Sequence, residues 1–173
     1  VWAYHAQFFP VELFSRLRTL IEKENLPEPF LFTIVNDLEM QKKFQEKGFL
    51  SKDEEAQFRA LLEEQLCNAD GIMVYPAGKK RPEHGEYAAR PVQDPFYRRY
   101  TLPFLLELLA EERFSSKAVG AYVYKGYVNH LSGNIAGEYG SSAFRLAMEE
   151  LVLLNPDIIT FFEWNEANEN THY

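Results

Sequence analysis

Short runs of consecutive apolar residues alternate along this chain with longer stretches in which apolar residues recur every three or four positions. Val1 to Tyr4 is the first run and reads as a strand. A helix is predicted from Pro10, suited to a first helical position, to about Asn25, with Phe14, Leu17, Leu20 and Ile21 on one face. Pro27 and Pro29 prevent its continuation. Phe30 to Val35 is the second strand. Ser51-Lys52-Asp53-Glu54 has the form of a capping box and opens a helix to about Asn68, with Phe58, Leu61, Leu62 and Leu66 on one side. Asp70-Gly71 turns the chain into a third strand, Ile72 to Tyr75. A third helix spans about Leu102 to Phe114, and a fourth strand Ala118 to Tyr124. A fourth helix, capped by Ser141 or Ser142, ends at Asn155-Pro156, and a buried fifth strand follows from Asp157 to Trp164.

Strands that are nearly all apolar, separated by helices, imply an α/β fold with a parallel sheet covered on both faces. Five strands and four helices suit either an open doubly wound sheet or a little over half of a (β/α)8 TIM barrel. A Rossmann-type sheet wants a glycine-rich turn after its first strand, and Tyr4-His5-Ala6-Gln7 is not one. The unusual residues cluster instead at the carboxyl ends of strands, where barrels keep their chemistry. A whole barrel needs about 250 residues, so the 173 residues read as one domain forming the later, C-terminal part of a barrel.

The chemistry concentrates in the last stretch, Asn155 to Tyr173. The fifth strand runs straight into Trp164, Asn165, Glu166 and Glu169. Sugar hydrolysis needs such a set: one carboxyl protonates the leaving oxygen, and the other activates water or attacks the anomeric carbon. An indole can stack on a pyranose face. The bland alternative is that two glutamates after a strand are solvated or cap a helix.

Trp164-Asn165-Glu166-Ala167-Asn168-Glu169, followed by Thr171-His172-Tyr173, resembles the late-strand signature of glycoside hydrolase families 71 and 99. The similarity covers about fifteen to twenty residues strongly, and the helix from Ser142 to Leu154 weakly. It implies a TIM barrel, Glu166 as the base-side carboxylate and Glu169 as the general acid. It also implies an α-linked glucose or mannose chain as substrate, no cofactor, and a secreted or periplasmic setting. The sequence departs from the pattern at Ala167, where relatives often carry an aromatic residue, and at Asn170, where they often carry Gly. Both departures leave the acids in place and bear on the substrate.

Other strand ends supply further substrate-binding candidates. Tyr4 and His5 follow the first strand; the histidine either donates to a sugar hydroxyl or caps the next helix. Asn36 and Asp37 follow the second and are equally ordinary turn residues. Tyr75 ends the third. Tyr122 and Tyr124 lie on the fourth and point the same way; one is expected to border the cleft and the other to belong to the core. Trp164, Asn165, His172 and Tyr173 complete the set around the acids.

Two connections exceed what a simple link needs. Ala77 to Arg99 carries Lys79, Lys80, Arg81, His84, Arg90, Arg98 and Arg99, a basic group suited to an anionic sugar or to neutralising nearby carboxylates, or simply a solvated loop. Gly126 to Gly140 is glycine-rich but holds no Walker-type phosphate pattern.

A net charge of −8 argues against nucleic acid, whose phosphates need a basic face. The aromatic excess, 14 Phe, 10 Tyr and 2 Trp, fits a carbohydrate site but fits a core equally well. Cys67 reads as a small core residue, and as the one cysteine it forms no internal disulfide. No apolar run is long enough to span a membrane. The four histidines have no metal-ligand spacing, so a metal is not expected, and no G-x-S-x-G elbow is present. A barrel that binds a glycan without cleaving it, and a metal-dependent hydrolase using Asp37, Glu166 and His172, remain the alternatives. The expected partners are a carbohydrate and the remainder of the barrel.

Overall fold

A computed structural model describes residues 2–3, 13–35, 37–75, 77–80, 90–123, 127–128, 135–136, 142–161, 165–166 and 171–172, with backbone alone at 2–3, 77–80, 90–93, 127–128, 135–136, 142–143, 165–166 and 171–172. The chain divides into two compact units, Val1–Val74 with Tyr100–Val119, and Tyr75–Arg99 with Gly120–Tyr173.

In the first unit, β1 (Trp2–Ala3), β2 (Phe32–Ile34) and β3 (Gly71–Val74) pair side by side in parallel. Ala118, which opens β6 (Ala118–Val123), donates its N–H to Asp70 O at 3.0 Å. The strands are near-continuous apolar runs, and every residue of β2 and β3 is buried. Such strands have no solvent face, as in parallel sheets covered on both sides.

Between the strands lie α1 (Leu13–Lys23), α2 (Leu38–Lys47), α3 (Lys52–Asn68) and α4 (Leu102–Leu109). α1 ends because Asn25 takes the left-handed conformation, φ 50°. Asn25 N–H then bonds Glu22 O and Leu26 N–H bonds Ile21 O, the paired closure of a Schellman motif. Of the predicted α1 face, Phe14 and Ile21 are buried but Leu20 is 53% exposed. α2 was not expected. Its sequence is polar and only Met40 is buried, but Gly48 at φ 79° closes it, and a Glu39–Lys43 pair spans one turn.

α3 begins at the predicted capping box. Ser51 Oγ accepts from Glu54 N–H, and Glu54 Oε2 accepts from Ser51 N–H at 2.8 Å. Lys47 donates to the same carboxylate, and these bonds hold Glu54 down at a pKa of about 2. Phe58, Leu62 and Leu66, four apart, are fully buried. Cys67 lies one residue past this stripe and is exposed, which corrects its assignment to the core. Gln65 Nε2 donates to Thr33 Oγ1 and to Ile34 O, so α3 covers the sheet face that carries Thr33. By alternation, Phe32 and Ile34 occupy the opposite face, in register with Gly71 and Met73.

That register explains Gly71. A Cβ there would stand 2.4 Å from the Phe32 ring and 2.6 Å from Ala118 O. Neither neighbour is a flexible chain end, so the backbone would have to move. Gly71→Ala is expected to cost about 1–3 kcal/mol, the range of core overpacking, read from the urea midpoint. An unchanged midpoint would show that the strands separate freely here.

At the amino ends of these strands, Asp70 acts as a latch. One carboxylate oxygen accepts from Leu31 N–H and the other from Arg18 Nη2. Burial by itself would push this carboxyl up. The Arg18 and Leu31 bonds and the charges of Arg18 and Lys117 outweigh it and hold the pKa below the usual aspartate range. A carboxyl depressed in the folded state stabilises the fold above its unfolded pKa, and that stability is lost as pH falls through the folded pKa. Thermal midpoints of wild type and Asp70→Asn should therefore differ most at neutral pH and converge below about pH 4. A difference constant with pH would mean that the charge is irrelevant.

In the second unit, residues 120–123 of β6 pair in parallel with β9 (Ile158–Phe161). The hydrogen-bonded order of the parallel strands is β1-β2-β3-β6-β9. The order never reverses, unlike a doubly wound sheet, whose order does. Three two-residue-to-four-residue ladders add antiparallel hairpins: β4 (Ala77–Lys80) with β5 (Arg90–Gln93), β7 (Tyr127–Val128) with β8 (Ile135–Ala136), and β10 (Asn165–Glu166) with β11 (Thr171–His172). α5 (Ser142–Leu154) lies against β4 and β5. It closes at Asn155, φ 48°, before Pro156.

The expectation of a buried fifth strand is corrected here. β9 lies at the end of the strand order, and Ile158, Ile159 and Phe161 are 37%, 42% and 47% exposed. Its residues are apolar enough for an interior strand, but burial follows from neighbours on both sides, and β9 pairs on one side only among the described residues. The architecture is α/β with a parallel sheet; no closed barrel is formed among the described residues.

Candidate functional site

β9 runs parallel to β6 and delivers its carboxyl end to the stretch that holds the two glutamates. Four residues beyond Phe161 the chain enters the β10–β11 hairpin, which pairs Asn165 with His172 and Glu166 with Thr171. A hairpin is a more constrained support than an open loop. It brings two of the expected substrate-binding residues, Asn165 and His172, into cross-strand register. Glu169 lies between the two hairpin strands in sequence, outside the described residues, as do Trp164 and Tyr173.

Of the other expected site residues, Tyr4, His5, Asn36 and Tyr124 also fall outside the described residues. Asp37 stands at the cap position of α2, half-buried, and its side chain makes no capping bond there. Its backbone oxygen accepts from Gln41 N–H at 2.8 Å, so the turn role foreseen for it is at least partly filled by backbone.

Tyr75 follows β3 directly and is half-buried. Its ring stacks on Tyr122, with centroids 4.8 Å apart and planes at 23°. Offset stacking of this kind suits the quadrupoles of two aromatic rings and fixes both of them. Tyr122 itself is 5% exposed. Tyr122 is therefore packed, and it packs on a residue expected in the site.

The basic connection from Ala77 to Arg99 carries secondary structure of its own. It folds as the β4–β5 hairpin, and Asp94 then caps the next turn by accepting from Phe96 N–H and Tyr97 N–H. A π-helical turn, Tyr97–Thr101, follows. Arg98 reaches from it to Glu150 on α5. Its Nε lies 2.9 and 2.8 Å from the two carboxylate oxygens, and Nη2 lies 2.6 Å from Oε1. Of the two uses foreseen for the basic residues, Arg98 takes that of neutralising a carboxylate.

Glu150 was missed from sequence. It is 0% exposed, and it sits among Ala147, Leu151 and Leu154, all buried. Those four share one helix face by their spacing, so an acid on an apolar stripe was the available signal. Its charge acts on its neighbours. Asp94 is pushed above the usual aspartate range by burial first, with Glu150 adding and the bonds from Tyr97 and Phe96 N–H opposing. Tyr97 is pushed up by burial and by Glu150. Its hydroxyl is buried, with no hydrogen-bond partner among the described residues.

No group of three His, Cys, Asp or Glu placed to hold a metal occurs among the described residues. Likewise, no described helix is long and apolar enough to cross a membrane. No protein-family model and no curated protein matches the chain.

Proposed function

We propose that this chain is a carbohydrate-active β/α domain that hydrolyses an α-linked glycan, with Glu166 and Glu169 as the carboxylate pair. The observation that carries the proposal is positional. β9 is parallel, and its carboxyl end leads within a few residues to Trp164, Asn165, Glu166 and Glu169. Carboxyl ends of parallel strands are where α/β folds place ligands and catalytic groups. The unreversed strand order supports a barrel-type winding, in which each β/α unit adds beside the last.

In this reading Glu169 protonates the leaving oxygen and Glu166 serves the base side. Trp164 stacks on the sugar, and Asn165 and His172 bind its hydroxyls. Tyr173, Tyr4, His5, Asn36, Asp37, Tyr75 and Tyr124 shape the surroundings. No cofactor is required, because general acid–base chemistry on an acetal needs only the two carboxyls and water. The remainder of the barrel is the proposed protein partner.

The test is hydrolysis of α-linked glucans and mannans by wild type, Glu166→Gln and Glu169→Gln. Loss in both variants supports the assignment. Wild-type rates in both variants would overturn it, and binding without turnover in the wild type would favour a non-catalytic glycan-binding barrel.

A further inference from the structure

A strand and the helix that covers it need only a short connection. Between β2 and β3 the covering helix is α3, which bonds Thr33 and Ile34 through Gln65. α2 is an extra helix inserted into the connection from β2 to α3. Both of its ends lie on the carboxyl-end side of the strands. Its first residue, Leu38, follows closely on Ile34, the last residue of β2. Its last, Lys47, pairs with Glu54 in the first turn of α3 at 2.8 Å. That turn is on the same side, because α3 finishes at Asn68, just before β3 begins at Gly71, and β2 and β3 are parallel.

α2 is held lightly. Of its ten residues only Met40 is buried, and Phe44 meets Tyr100 edge-on with ring centroids 5.8 Å apart. α3, by contrast, buries Phe58, Leu62 and Leu66. Leu38 and Phe49, at the two ends of α2, are 57% and 51% exposed, so this position leaves apolar surface uncovered. Gly48 stands at φ 79° with nothing within 4 Å of where a Cβ would be, so neither a side chain nor a neighbour restrains rotation there. Beyond it the chain is fixed at once. Leu50 is buried and donates its N–H to Tyr100 Oη at 2.9 Å, and Ser51 opens the capping box.

We propose that α2 is a lid over the carboxyl end of β2, released as one unit about Gly48 while β2, β3 and α3 stay folded. This motion belongs to the first unit alone and does not depend on the carbohydrate reading. Carboxyl ends of parallel strands are where α/β folds hold ligands, and a hinged helix in the connection there controls access to them. Segments that gate a site come from the least stable part of a fold, since they must open without unfolding the rest. One buried methionine and one ring edge give α2 that low stability, and the buried stripe of α3 supplies the fixed frame.

The test is native-state hydrogen exchange of the full chain as wild type, Gly48→Ala and Leu66→Val. A ten-residue helix released from its packing does not hold its own hydrogen bonds. Release therefore exposes the amides from Gln41 to Gly48, whose bonds to Asp37 O and Phe44 O begin and end the helix. These amides should share one opening constant and exchange at least about 100-fold faster than those of α3 around Phe58 and Leu62. Their exchange should depend little on dilute urea, which acts on the surface that an opening exposes. Gly48→Ala penalises the closed, left-handed state and should speed α2 exchange by roughly five- to thirtyfold. Leu66→Val weakens the frame and leaves the lid alone, so it should speed α3 exchange by roughly three- to tenfold and leave α2 exchange unchanged. If α2 exchanges with α3 in wild type, or speeds up in Leu66→Val, it opens only with the whole unit and the lid is overturned. Exchange graded inward from the helix ends is fraying and overturns it as well. Should Leu66→Val fail to fold, Gly48→Ala decides, and unchanged α2 exchange there removes the hinge. Access is read separately with Ile34→Cys in a Cys67→Ser background, by the rate at which a thiol reagent labels it. That rate should rise in Gly48→Ala and stay the same in Leu66→Val, whereas no response to Gly48→Ala would show that α2 does not cover the strand end.

Discussion

Arg98→Met should lower the thermal midpoint by roughly 5–15 °C, the effect of stranding one partner of a buried ion pair in a domain of this size. Glu150 has no exposed surface, and all the ion-pair contacts that its carboxylate makes come from Arg98 among the described residues. Methionine keeps the apolar stem and removes the charge, leaving a carboxylate among Ala147, Leu151 and Leu154 with Asp94 as an acidic neighbour. Arg98 is 39% exposed, so its own desolvation is slight and the asymmetry is clear: losing the arginine is worse than losing the glutamate. The double variant Arg98→Met/Glu150→Leu should recover much of the midpoint, because an apolar pair needs no compensation. Calorimetry of the three variants checks this. A midpoint within a degree of wild type for Arg98→Met would show that Glu150 is reached by water in solution.

How much of this was legible beforehand follows from where each element gets its stability. β2, β3 and β6 were readable because an interior parallel strand must be nearly all apolar, and they are, with Thr33 the one polar side chain buried among them. α3 was readable from Ser51 and Glu54, whose reciprocal bonds are local and independent of the rest of the fold. α2 was not, because one buried Met40 gives no periodicity; Gly48 was its only clear marker. β9 was placed correctly but assigned the wrong burial. Sequence gives a strand's composition, whereas burial depends on neighbours that lie far away along the chain. The long basic connection hid the β4–β5 hairpin because its strands lack apolar alternation. Glu150 was hidden by the assumption that helical acids face water, though its place on the apolar stripe contradicted it. For the site, the sequence located the acidic stretch after the fifth strand, and the structure adds the β10–β11 register of Asn165 with His172. Chemistry clustered in sequence is legible, while the Tyr75–Tyr122 contact joins residues far apart in the chain.

Glu166→Gln and Glu169→Gln should each reduce glycan hydrolysis by about 10²–10⁴-fold, the span of general acid–base catalysis. The two losses should differ in kind. Glutamine at the acid position cannot protonate the leaving oxygen, but a substrate with an activated aryl leaving group needs little protonation. Glu169→Gln should therefore recover toward wild type on aryl glycosides, while Glu166→Gln should not. A small anion such as azide should restore turnover to a base-side variant by replacing the activated water, and the anomer of the azide product would report the stereochemistry. The pH profiles carry the same distinction. Wild type should show a bell, and each variant should lose the limb that belongs to its missing group. Equal behaviour of both variants on activated and natural substrates would mean that the roles are misassigned. A wild-type profile without either limb would mean that the carboxylates are not the acid and base. Two acids beyond the end of a parallel strand become a catalytic pair only through such separate chemical phenotypes.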